Sequence, residues 1–102
     1  MAHLDSSERI LSVDIGGSRV KGAILDRDGK MLTDYTKIDT PSSGAPEDVL
    51  NTILSLASRL ATYTKVSVGF PGYVRRGIVH TAPNLSTEKW RGFALRDRLT
   101  EL

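Results

Sequence analysis

Two β-patterned runs joined by a Gly-Gly turn constrain this chain more than any other feature. Ile10–Val13 is a short apolar run rich in β-branched residues and reads as a buried strand. Asp14-Ile15-Gly16-Gly17-Ser18 follows as a tight turn, and Val20–Leu25 resumes the β pattern. Asp26-Arg27-Asp28-Gly29 is turn chemistry, with Gly29 free to take positive φ, so Lys30–Lys37 reads as the third strand of an antiparallel meander. A strand-turn-strand unit of this kind cannot bury its apolar face alone and needs a covering element.

The next segment supplies one. Thr40–Pro46 is a cluster of helix and strand breakers, and Pro46 suits a first helical turn because its missing amide proton has no acceptor there. Glu47 and Asp48 place negative charge at the same end, where the helix dipole favours it. Val49, Leu50, Ile53, Leu54, Leu56, Ala57 and Leu60 then recur at three-and-four spacing, predicting a helix to about Ala61 with a broad apolar face. Lys65–Gly69 reads as a further strand, parallel to its neighbour because a helix precedes it. Phe70-Pro71-Gly72 ends that strand, and Tyr73–His80 reads as a small hairpin turning at Arg75-Arg76-Gly77. Pro83, Asn84 and Ser86 mark a loop. Phe93, Leu95, Leu99 and Leu102 begin a helical pattern that stops with the chain without a Gly cap or Pro breaker, as a helix cut in mid-course would.

The expected order is therefore βββαβ followed by irregular structure. Residues 1–9 are polar and read as a flexible arm, and residues 10–102 as one lobe; 102 residues is a single domain's length.

The chain has no Cys, which removes disulfides, thiolate metal sites and cysteine nucleophiles, and fits a cytoplasmic location. No stretch approaches the roughly 20 apolar residues of a membrane span, so a membrane partner is not expected. The net charge of +2 is unevenly placed: residues 1–62 carry 7 basic and 9 acidic side chains, residues 63–102 carry 7 and 3. The basic half suits a polyanion, yet solvated Arg and Lys explain it more simply, so nucleic acid is disfavoured as a partner.

The Gly-Gly turn carries the clearest chemistry. It lacks the G-x-x-x-x-G-K order and the G-x-G-x-x-G order with a following helix, so neither a Walker loop nor a dinucleotide fingerprint is present. Gly16 and Gly17 leave backbone N–H groups unobstructed, and successive amides in a tight turn form a concave anion site. Ser18 adds a hydroxyl donor. Lys21 is an odd number of residues from Ser18, so on a regular strand the two need not share a face. Asp14 would repel a phosphate directly and makes better sense holding Mg2+ through water. On spacing alone, an Asp-Gly-Gly turn beside a solvated Lys is an equally good reading.

Asp14-Ile15-Gly16-Gly17-Ser18 with Lys21-Gly22, between two strands, resembles the first phosphate motif of the actin-like ATPase and sugar kinase superfamily. It is similar in particular to the ROK family and its polyphosphate glucokinase branch, in which the Ser and the Lys are typical. Gly69-Phe70-Pro71-Gly72-Tyr73-Val74, then Gly77–Leu85 and Trp90, resembles the same family's sugar-binding side. The resemblance implies an actin-like, ribonuclease H-like N-terminal lobe with a mixed α/β sheet. It implies donor phosphate of polyphosphate or ATP on Gly16, Gly17, Ser18 and Lys21, hydrated Mg2+ at Asp14, and glucose or a related hexose at Gly72 and Asn84. The general base of that family is an Asp in an Asn-Asp pair on a later helix, and no such pair occurs here, so the chain by itself is expected to be inactive. A non-catalytic sugar-sensing module of the same family is the alternative.

Three further residues have structural readings beside functional ones. Asn84 in a loop often bonds its own backbone, Trp90 is better read as a packing anchor than as a sugar platform, and a lone His80 makes no metal site. A sheet face or helix stripe left uncovered would also permit a homodimer.

Overall fold

A computed structural model describes residues 8–102. Residues 1–7, most of the expected arm, lie outside the described residues. Glu8 pairs with Lys65 at 2.8 Å, and the Arg9 carbonyl accepts from the Thr64 N–H at 2.8 Å, so this stretch is tied to the start of a strand.

The elements are β1 (Ile10–Ile15), β2 (Arg19–Leu25), β3 (Thr36–Asp39), α1 (Pro46–Ser58), β4 (Lys65–Gly69), β5 (Tyr73–Arg75), β6 (Ile78–Thr81), α2 (Thr87–Trp90) and α3 (Leu95–Glu101). The expected βββαβ order and mixed sheet are both present, with strands arranged β3-β2-β1-β4. β1 pairs antiparallel with β2 and parallel with β4, while β5 and β6 form a separate hairpin.

Alternation sorts the two faces of the sheet. Leu11, Val13 and Ile15 on β1 and Val20 and Ile24 on β2 are buried, and Val49, Leu50, Ile53 and Leu56 of α1 join them in one core. The register opposes Val13 to Gly22, and a Cβ on Gly22 would lie 2.4 Å from the Leu56 side chain. This glycine lets α1 sit directly on the sheet. The other face carries Asp14 and Lys21, both exposed.

Two predicted boundaries need correction. The third strand, expected over Lys30–Lys37, is displaced to Thr36–Asp39, with only an isolated bridge between Leu25 and Met31 before it. The Ile24 N–H donates to the Thr33 hydroxyl at 3.0 Å, so a side chain stands in for the ladder carbonyl and lets the backbone leave the ladder. The helix expected to reach Ala61 ends at Ser58. The amides of Arg59 and Leu60 bond back three residues, to Leu56 and Ala57, closing a tight last turn. The Thr62 carbonyl then accepts from the Arg9 side chain at 2.8 Å, fixing the chain on a different path.

The β5–β6 turn sets φ at 53° for Arg76 and 80° for Gly77. Two left-handed residues in a two-residue loop match the right-handed twist of a hairpin, but an Arg there bears strain that Asn tolerates. Arg76→Asn is therefore expected to raise stability by about 0.5–1 kcal/mol, read as a higher denaturation midpoint at unchanged m.

Arg98 fastens α3 to the start of α1. Its guanidinium donates twice to the Glu47 carboxylate and lies 5.6 Å from the centre of the Phe93 ring. The Arg98 hydrogen bond, with its charge, holds the Glu47 carboxyl below the usual carboxylate range. A depressed folded-state value stabilises above the ordinary Glu range, and that contribution is lost as pH falls through the lowered value. In low salt, acid titration should loosen the α3 resonances in that window, and Glu47→Gln should abolish the dependence.

β4 is an edge strand. Beside it Leu54, Tyr63, Val66, Val74 and Leu99 line an open groove of about 620 Å³. No helix among the described residues is long and apolar enough to cross a membrane.

Candidate functional site

The turn between β1 and β2 is held from its carbonyl side. The Gly16 N–H, expected to face an anion, instead donates to the Arg19 carbonyl at 2.9 Å and closes the turn. The Gly16 carbonyl accepts from the Thr40 hydroxyl at 2.8 Å, and the Ser18 carbonyl accepts from the Thr40 N–H at 2.9 Å. Gly17 and Ser18 are exposed, and no hydrogen bond among the described residues engages their amides or the Ser18 hydroxyl. Free, neighbouring N–H groups on an exposed turn are the geometry an anion requires.

Strand register extends the site across the sheet. Asp14 opposes Lys21 on β2 and Gly69 on β4, and Lys21 opposes Lys37 on β3. Paired residues project to one face, so Lys37, Lys21, Asp14 and Gly69 form a row on the exposed side. A Cβ on Gly69 would stand 3.3 Å from the Asp14 carboxylate, and its absence leaves that oxygen accessible. No ion pair engages Asp14 among the described residues, and no group of three or more His, Cys, Asp or Glu gathers there to form a metal cage. A lone, solvated carboxylate beside a small residue fits a cation that keeps most of its water.

Asn84 belongs to the same place. A Cβ on Gly17 would lie 3.1 Å from the Asn84 Cβ and 3.2 Å from its carbonyl oxygen, so the two motifs meet in space. Asn84 is exposed, and among the described residues its carboxamide makes no hydrogen bond to its own backbone or to any other group. It remains able to donate and accept toward a ligand.

Gly72 sits differently. A Cβ there would lie 2.0 Å from the Thr81 carbonyl oxygen and 3.1 Å from the Ala82 Cα. The close approach this glycine permits is to the end of β6, which leads into Asn84. His80 is exposed, its ring 5.2 Å from that of Tyr73. Trp90 is fully buried between Phe70 and Phe93, and its indole N–H donates to the Gly44 carbonyl at 2.6 Å, which makes it an anchor. Among the basic residues of the C-terminal half, Lys89 donates to the Ser43 carbonyl and Arg98 holds Glu47.

Sequence reasoning missed the part played by residues 40–45. That segment reads as a linker, yet Thr40 grips the turn at one end and Gly44 meets Leu85 at the other, where a Cβ would be 2.8 Å from the Leu85 carbonyl. Gly44 takes φ of 63°, and its breaker composition was the only local signal.

Comparison with known proteins places this arrangement among relatives. The model of the ROK family matches residues 10–102. A polyphosphate glucokinase of Mycobacterium leprae is 37% identical over 93 residues, covering 90% of this chain and 28% of that protein. The structure of an inorganic polyphosphate/ATP-glucomannokinase from Arthrobacter sp. strain KM superimposes with a TM-score of 0.84 at 29% identity, covering 93% of this chain and 40% of that one. A ROK family glucokinase from Streptomyces griseus, solved with glucose and AMPPNP, gives a TM-score of 0.76 at 30% identity, with 91% of this chain and 30% of that one covered. The chain thus spans well under half the length of the relatives it matches.

Proposed function

The chain belongs to the ROK family and has its actin-like ATPase fold, and on that premise we propose that it forms the donor-phosphate and sugar-seating part of a glucokinase. The activity would be transfer of a terminal phosphoryl group from polyphosphate or ATP to the 6-hydroxyl of glucose. The observation that carries this reading is the meeting of two free turn amides with an uncommitted carboxamide, at Gly17 and Asn84.

In this reading the amides of Gly17 and Ser18 and the Ser18 hydroxyl hold donor phosphate oxygens, with Gly16 closing the turn. Lys21 approaches from the same sheet face as Asp14 and offsets negative charge on the donor. Asp14 would hold hydrated Mg2+, which would neutralise charge building on the phosphate oxygens. Asn84 would orient a sugar hydroxyl beside the turn, and Gly72 would serve the sugar indirectly by fixing the strand that carries Asn84. The polyphosphate glucokinase and the polyphosphate/ATP-glucomannokinase among the relatives support the donor class, and the glucose complex of the Streptomyces griseus protein supports the acceptor.

Phosphoryl transfer depends on positioning and charge stabilisation together. No Asn-Asp pair occurs in the 102 residues. Purified chain is therefore expected to form no glucose 6-phosphate from polyphosphate or ATP, while Mg2+-tripolyphosphate shifts the amide resonances of Gly17 and Ser18 in a 15N-labelled sample. Robust turnover by the chain alone would refute the first expectation. Resonances at the turn that ignore tripolyphosphate would remove the donor-site reading.

A further inference from the structure

We infer that Thr40 is a positioning residue for the phosphate turn, aiming the Gly17 amide at the donor. The two hydrogen bonds from Thr40 to the Gly16 and Ser18 carbonyls carry this inference. It rests on reading that turn as the donor site.

Peptide planarity couples the Gly16 carbonyl to the Gly17 amide. In a trans peptide the C=O of one residue and the N–H of the next point in opposite directions. Drawing the Gly16 carbonyl toward Thr40 therefore turns the Gly17 N–H the other way, to the exposed side. The Thr40 N–H holds the Ser18 carbonyl two peptides further on, so one residue brackets the bend at both ends. Gly16 and Gly17 have no Cβ to restrict their own rotation, which makes an external clamp necessary. Thr40 itself is half-buried at the end of β3, and its main-chain bond continues the pairing of that strand with β2.

The same segment reaches the other half of the site. Four residues beyond Thr40, Gly44 packs on the Leu85 carbonyl and accepts from Trp90, and Ser43 accepts from Lys89. Residues 40–44 thus connect the turn to the Asn84 loop, and Thr40 transmits that connection to the Gly17 peptide.

The test compares Thr40→Val, which keeps shape and loses the hydroxyl, with Thr40→Ser, which keeps the hydroxyl. Two readouts are taken on the 15N-labelled 102-residue chain: the heteronuclear NOE of Gly17 and Ser18 without ligand, and tripolyphosphate affinity from amide shifts. Thr40→Val should lower the NOE at the turn and weaken binding about three- to tenfold, the worth of one hydrogen bond. Thr40→Ser should restore both. Thr52→Val removes a hydroxyl that donates to the Asp48 carbonyl within α1, and it should leave both readouts unchanged.

Wild-type order and affinity in Thr40→Val would overturn the inference, as would an equal loss in Thr52→Val. If the wild-type turn does not bind tripolyphosphate, the donor-site reading fails separately. Whether Thr40 orders the turn is then decided by the NOE alone: loosening in Thr40→Val reversed in Thr40→Ser supports the clamp, and no loosening defeats it. Should Thr40→Val fail to fold, Thr40→Ala takes its place, with rescue by Ser as the criterion.

Discussion

Gly72→Ala is expected to cost the chain a large share of its folding stability, read as a sharply lowered denaturation midpoint. The added methyl would be built 2.0 Å from the Thr81 carbonyl oxygen and 3.1 Å from the Ala82 Cα, both backbone atoms that cannot move without the hairpin. Overpacking of this kind exceeds the usual penalty because no flexible side chain can yield, so a loss above about 3 kcal/mol is expected. A domain this small holds only about 5–15 kcal/mol in total. β5 is already irregular at Tyr73 and Val74, where the Tyr73 N–H turns to the Thr81 hydroxyl at 3.2 Å, so little ladder remains to resist the strain. Circular dichroism and urea denaturation read the outcome directly. A folded Gly72→Ala chain of unchanged midpoint would mean that Gly72 is not packed against β6, and a role for it in contacting the sugar directly would return.

Trp90→Ala should cost about 3–5 kcal/mol, the range for emptying a large aromatic site from a core. The residue is fully buried between two rings, and its indole N–H satisfies the Gly44 carbonyl. Trp90→Phe separates these contributions: much of the packing remains, the Gly44 carbonyl loses its partner, and the loss should fall to about 1–3 kcal/mol. Denaturation midpoints for the two variants, with NOE values for residues 42–45 and 84–86, check the assignment. The aromatic substitution should loosen residues 42–45 more than the sheet. If Trp90→Ala proved nearly neutral, the ring would be a surface platform, free to face a sugar.

These expectations differ in what made them visible. Trp90 as an anchor was legible because a large aromatic is more often packed in a core than laid against a ligand, whereas its partners Phe70 and Phe93 were not. Gly72 was legible as a site of close approach, but the partner it approaches was not: a missing Cβ says that something comes near and nothing about what. Lys21 was harder still. Its offset from Ser18 left its face open, and only the pairing of Asp14 with Lys21 puts the ammonium and the carboxylate on one side of the sheet. β3 was misplaced because a β-pattern over Lys30–Lys37 cannot reveal that the Thr33 hydroxyl would replace a ladder carbonyl.

What the 102 residues determined by themselves was local: strands with period two, a helix with period 3.6 opened by a proline, a Gly-Gly bend, and an Arg-Gly hairpin turn. Each is written in neighbouring side chains and follows from backbone sterics and solvent exclusion. Tertiary structure alone decided that Thr40 would lie under Gly16, 24 residues away, that the Gly44 carbonyl would take the Trp90 indole across 46, and that Gly17 would touch Asn84. Such contacts leave no periodic trace, because they depend on where packing brings distant loops and not on what each loop contains.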